Sequence, residues 1–161
     1  MTPAVSPLDG RLFGPDQQCF GCAVDHPAGF HLAFTTEGES VVTRFVPKKH
    51  HQGPLGLMHG GLISTLADET AAWAVLATTG KFGFTTGFEA RLVKGVKVAL
   101  ECVAKGTVTK SSSRIVRVSV EISQEDALCF TGEFTFALLE RAAAEKLMGG
   151  PLPEDWVRFC R

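Results

Sequence analysis

Met58-His-Gly-Gly-Leu-Ile-Ser-Thr-Leu-Ala-Asp-Glu-Thr-Ala-Ala-Trp73, MHGGLISTLADETAAW, decides the reading of this chain. Its apolar spacing predicts a helix running on to about Thr78 and stopped by Thr79-Gly80. Such a helix has about 20 residues and is roughly 30 Å long. At about 100° per residue, Leu62, Ile63, Leu66, Thr70, Trp73 and Ala74 fall on one side, which must be buried. Asp68 points nearly opposite, with the small residues Ser64, Thr65, Ala71 and Ala72 one turn away. Glu69 falls on the flank of the apolar stripe. No Lys or Arg occurs between His59 and Lys81, so neither acid has a cationic partner within the helix. The far face carries Ser, Thr, Asp and Ala where a solvated face would carry Lys, Glu and Gln. It is therefore expected to pack loosely against another subunit.

The start of the helix is as informative as its middle. His59-Gly60-Gly61 follows the glycine-rich loop PKKHHQGPLGLM. Free N–H groups at a helix start bind an oxyanion, and glycine lets a ligand approach the backbone closely. Asp68 lies roughly 13 Å further along the axis. One carbonyl does not reach both ends within one chain, but a two-fold axis with antiparallel helices would bring them together.

On either side of the helix the pattern is that of strands. HLAFT (31–35) and SVVTRFV (40–46) alternate and form a hairpin around Glu37-Gly38. After the helix, FTTGFEARLV, KVALECVAKGTV, SRIVRVSVEIS and ALCFTGEFTFALL alternate with period two. Their short separators, Lys94-Gly95, Lys110 to Ser113 and Gln124 to Asp126, predict hairpins and an antiparallel meander. LLERAAAEKLM favours a short C-terminal helix, followed by an irregular tail. The fold class is α+β. The one long helix finds a partner for its stripe only in the sheet, which should curve around it. The expected organisation is an irregular, partly ordered lead-in (1–30), a main domain (31–140) and a C-terminal helix and tail (141–161).

HGGLISTLADE resembles the active-site helix of the hotdog-fold acyl-CoA thioesterases, in the PaaI-like branch. In that branch an acid follows His-Gly-Gly nine places after the His, which here is Asp68. HHQGPLGLMHGG resembles the preceding loop, and CFGCAVDHPAGFHLAF resembles a lead-in found in a subset of the branch. The strands FTTGFEARLVKGV and GTVTKSSSRIVRVSVEI add to the likeness, which covers about residues 19–140. The resemblance implies a long helix wrapped by an antiparallel sheet, as a homodimer or dimer of dimers with active sites at the interface. It implies Gly60 as the oxyanion donor, with Gly61 and His59 supporting the turn. Asp68 of the other subunit would be general base or nucleophile. Thr85 falls where some members hold the water, and Gln52 near a position that lies close to the carbonyl. Glu69 is an accessory residue at the site. Lys94, Lys110 and Arg114, with Lys97, are candidates for the phosphates of coenzyme A or for solubilising charge. The substrate would be an acyl-CoA, with no cofactor beyond coenzyme A as part of it.

Bulk properties agree. A formal net charge of −1 offers no field for nucleic acid or an anionic membrane. No run approaches the roughly 18 apolar residues of a membrane span, and the N-terminus lacks a signal-peptide pattern. Five cysteines, an odd number, suggest reduced thiols and a cytoplasmic setting. Cys19-x-x-Cys22 with His26 and His31 has a spacing short for zinc, so a loop with free thiols and no metal is expected. No G-x-S-x-G elbow or phosphate-binding glycine motif occurs. The alternatives are a non-catalytic acyl-CoA-binding hotdog protein and a hotdog hydratase. The latter usually pairs an Asp with a His in a different motif.

Overall fold

The computed structural model describes residues 8–161. Helix α1 (Gly60–Thr79) lies against a seven-stranded antiparallel sheet. The strands are β1 (Leu8–Asp9), β2 (Ala33–Glu37), β3 (Ser40–Phe45), β4 (Gly83–Leu92), β5 (Cys102–Ser111), β6 (Ile115–Gln124) and β7 (Ala127–Leu138). Their order across the sheet is β1-β2-β3-β5-β6-β7-β4. Helices α2 (Arg141–Met148) and α3 (Glu154–Val157) follow. Among the described residues no helix is long and apolar enough to cross a membrane.

Period-two alternation produces the face that receives α1. Val116, Val118, Val120 and Ile122 of β6 and Phe130, Phe134 and Phe136 of β7 are all fully buried. From the helix they meet Leu66, Thr70, Ala74 and Val75, also at zero or nearly zero exposure. The helix lies close against Gly106 of β5, where a Cβ would stand 3.0 Å from the Thr70 carbonyl oxygen. Only glycine admits this approach without a shift. Gly80 ends α1 in the left-handed conformation (φ 69°), its N–H donating to the Leu76 carbonyl at 2.8 Å.

Two expectations change. The strands after α1 are not a simple meander. β4 pairs with β7 at the far edge, and β5 pairs with β3. Alternation identifies a strand but not its neighbour, and residues 93–101 form a crossing, not a hairpin. Val96 is buried and its carbonyl accepts from Met58 N–H at 2.8 Å. Buried Gln124 clasps the same crossing, accepting from Lys97 N–H (2.8 Å) and donating to the Lys97 and Leu100 carbonyls. The lead-in, from residue 8 onward, and the tail are also better organised than expected. Phe13 packs edge-on or tilted against Trp73, Trp156 and Phe159, at centroid distances of 5.9, 5.0 and 5.1 Å. Both segments thus seal the C-terminal half of α1. Residues 1–7 of the lead-in lie outside the described residues.

Candidate active site

The start of α1 leaves one donor unused. His59 is the N-cap, in extended conformation, and its Nδ1 accepts from Gly61 N–H at 3.0 Å. Leu62 and Ile63 N–H both donate to the His59 carbonyl. Gly60 N–H has no acceptor among the described residues. The first-turn dipole adds positive character there. A Cβ on Gly60 would meet Leu92 Cδ2 at 3.1 Å, so the end of β4 borders this donor.

Asp68 is half-buried, and Thr85 Oγ1 donates to its Oδ1 at 2.7 Å. The pairing of β4 with β7 shifts register between Thr85 and Gly87. Such a bulge re-aims a side chain, and Thr86 turns away to donate to the Thr135 carbonyl. Burial raises the Asp68 carboxyl above the usual range, and the Thr85 hydroxyl partly offsets this. Ala71, expected beside the open space at Asp68, is fully buried; half-buried Ser64 and Ala72 stand one turn away instead. Strand β4 therefore touches both candidate groups, Asp68 through Thr85 and Gly60 through Leu92.

The remaining predicted residues divide by position. Gln52 pairs with Met58 across the loop before α1, and its Oε1 accepts from Gly56 N–H at 3.0 Å. Lys94, just past β4, is exposed, and its N–H donates to the Cys129 carbonyl. Lys110 and Arg114 are exposed around the β5–β6 turn, where Leu138 N–H donates to the Arg114 carbonyl. Since β4 runs from Gly83, opposite Leu138, to Leu92, opposite Phe130, these two cations lie at the other end of the sheet from Lys94. One chain does not bring the three together. His51, read as part of a polar loop, is buried between Phe30 and Phe45. Its carbonyl accepts from His59 N–H, which ties the loop to the helix start.

Glu69 was the flank residue and has a different environment. Cys19 Sγ lies 3.1 Å from its Oε1, and Cys22 is adjacent. Gly21 closes over it so tightly that a Cβ there would stand 2.1 Å from Glu69 Cγ. Burial, reinforced by the Cys19 sulfur, pushes the Glu69 carboxyl up to about 8. Hydrogen bonds from the Cys22 thiol and from the Gly21 and Cys22 N–H groups pull Cys19 below the ordinary thiol range. The Cys19 thiol donates to the Glu69 carboxylate, which ties the 19–22 turn to the helix. No pattern in the sequence signals this contact, because Cys19 and Glu69 are fifty residues apart.

A long helix laid in a curved antiparallel sheet defines this as a hotdog-fold protein. Residues 55–130, which carry the helix, β4, β5, β6 and the start of β7, match the family model of the thioesterase superfamily, in line with the thioesterase resemblance read from the sequence. No curated protein matches the chain. Among solved structures, a thioesterase superfamily protein is similar at 18% identity over 78% of this chain, with a TM-score of 0.68. This chain covers 64% of that protein's length. Zebra fish thioesterase superfamily member 2 is similar at 20% identity, over 71% of this chain and 89% of its own, with a TM-score of 0.64. A Streptococcus mutans protein, solved bound to acetyl CoA, is similar at 18% identity over 66% of this chain and 86% of its own, TM-score 0.61.

Proposed function

We propose that this protein hydrolyses an acyl-CoA thioester to a free acid and coenzyme A, as a homodimer with sites at the subunit interface. The observation that carries the reading is the pairing on one helix of an unspent N–H at Gly60 with a carboxylate of raised pKa at Asp68. Attack on a thioester moves negative charge onto the carbonyl oxygen. A fixed N–H in a dry site stabilises that charge by a few kcal/mol. Asp68 takes the proton of the attacking water, and Thr85 orients the carboxylate. The acetyl CoA complex of the Streptococcus mutans protein supports a coenzyme A thioester as the substrate class. Lys94 from one subunit, with Lys110 and Arg114 from the other, would meet the phosphates. Gln52 contributes through its unspent amide hydrogens near the carbonyl.

Dimerisation is supported by β4 itself. It is a ten-residue edge strand with Phe88 and Leu92 about half exposed. A long unpaired edge of this kind invites a second strand. Both candidate groups border β4, so a two-fold axis there would put Gly60 of one subunit near Asp68 of the other.

The test is thiol release from a panel of short, long and aromatic acyl-CoAs. Wild type is expected to turn over part of the panel, and Asp68→Asn to lose at least a hundredfold in kcat. Equal rates in both proteins, or binding of acyl-CoA with no thiol release by wild type, would overturn the assignment.

A further inference from the structure

The cluster at Cys19, Cys22 and Glu69 has no part in the hydrolysis just described. Their ligand atoms, two sulfurs and a carboxylate oxygen, lie within 4.8 Å of one another. They come from two separate pieces of chain, the 19–22 turn and α1, brought together by packing. A zinc ion bound by such donors, with bonds of about 2.3 Å to sulfur and 2.0–2.2 Å to oxygen, sets its ligands roughly 3.5–3.8 Å apart. The observed separations are within about 1 Å of that spacing at their upper bound of 4.8 Å.

Three features around the cluster suit a cation. Glu69 is a half-buried carboxylate, and among the described residues no Lys, Arg or His pairs with it. A buried charge without a counter-charge is costly. The turn itself is closed by backbone hydrogen bonds: Phe30 N–H donates to the Phe20 carbonyl and Leu32 N–H to the Gly21 carbonyl, both at 2.9 Å. Ala23 N–H closes the turn onto the Cys19 carbonyl at 3.0 Å. Such a closed turn fixes the direction of both cysteine side chains. Cys19, Cys22 and Glu69 also line a cavity of about 170 Å³ with Phe13, Phe84 and Trp156. That cavity leaves a fourth position for water or another small ligand. The histidines of the same motif are directed elsewhere. His31 Nε2 bonds the His26 carbonyl, and His26 Nδ1 accepts from Ala28 N–H.

We propose that Cys19, Cys22 and Glu69 form a binding site for one zinc ion. Two thiolates and a carboxylate are a donor set that selects zinc over magnesium or calcium. Zinc takes sulfur as thiolate, so binding releases the protons that the two thiols carry. The ion would pin residues 19–22 to the middle of α1, one residue from Asp68, without contacting the reacting atoms.

The full chain, purified in a phosphine reductant, is titrated with zinc and separately with cobalt(II). The expected result is about one ion per chain, with sulfur-to-cobalt charge-transfer bands and the intense visible bands of a tetrahedral site. Cys19→Ser, at a partly exposed position, should lose about half of the charge-transfer intensity, since one of two thiolates remains. Cys22→Ser should do the same if it folds. Glu69→Gln should keep the charge-transfer bands and bind more weakly, and His26→Ala should match wild type. No uptake by the reduced wild-type chain overturns the proposal, and so do bands that survive intact in the Cys19 variant. So does loss of binding in His26→Ala. None of these readouts depends on thioester hydrolysis.

Discussion

At the residue scale, the two adjacent acids of α1 serve different purposes because the helix turns them about 100° apart. Asp68 faces Thr85 and Glu69 faces Cys19. The angular separation was legible in the sequence. The partners were not, since both come from segments that only the folded chain brings near. Asp68 also has a thermodynamic signature. Its pKa is raised in the folded state, so any stability it contributes is present below the ordinary carboxylate value and lost as pH rises through the raised one. Above that raised value the wild type has lost it. Asp68→Asn is therefore expected to be more stable than wild type by about 1 kcal/mol at pH 7 and to converge with it in acid. Denaturant melts at two pH values measure this. Thr85→Val removes the hydrogen bond that holds the carboxyl down. The acid limb of kcat/KM should then move to higher pH, so the variant loses more activity at pH 6 than at pH 8. A uniform loss at all pH values would count against the role of Thr85.

At the element scale, the start of α1 is predicted by sequence almost to the residue. His59-Gly60-Gly61 reads as the opening of the helix, and the helix does begin at Gly60. What spacing alone did not reveal is that capping by His59 spends the Gly61 N–H and leaves that of Gly60. This suggests a substitution that separates stability from chemistry. Gly60 occupies the first helical position, where proline is well tolerated because its missing N–H has no partner in the helix. His59 already has the extended conformation (φ −60°, ψ 131°) that a following proline demands. Gly60→Pro should change stability by less than about 1 kcal/mol. Its kcat should nonetheless fall by roughly 10²–10³ if Gly60 supplies the oxyanion donor. Gly60→Ala retains the N–H and serves as the control, with only the Leu92 side chain needing to give way. The other close approach is Gly21 over Glu69. Gly21→Ala forces the two apart and should cost about 1–3 kcal/mol in a melt.

At the scale of the whole molecule, alternation located every strand from β2 to β7 within a few residues, yet the expected hairpin at Lys94-Gly95 is a crossing. Local pattern encodes which residues face the core. Strand order is set by where long-range contacts such as Met58 to Val96 and Gln124 to Lys97 pin the connection. The consequence is that β4 is an edge, and an edge that borders both candidate groups. If two copies meet there, each site takes Gly60 from one chain and Asp68 from the other. Gly60→Pro and Asp68→Asn, each inactive alone, should then complement. A heterodimer of the two contains one site with both wild-type residues and one with neither. Random exchange of subunits makes half of the dimers heterodimers, so the mixture should recover roughly a quarter of wild-type activity. Denaturing and refolding the variants together, then measuring thiol release, performs the experiment, with each variant refolded alone as baseline. A refolded mixture that exchanges subunits but stays at that baseline would show that both residues act within one chain, or that the groups are wrongly assigned.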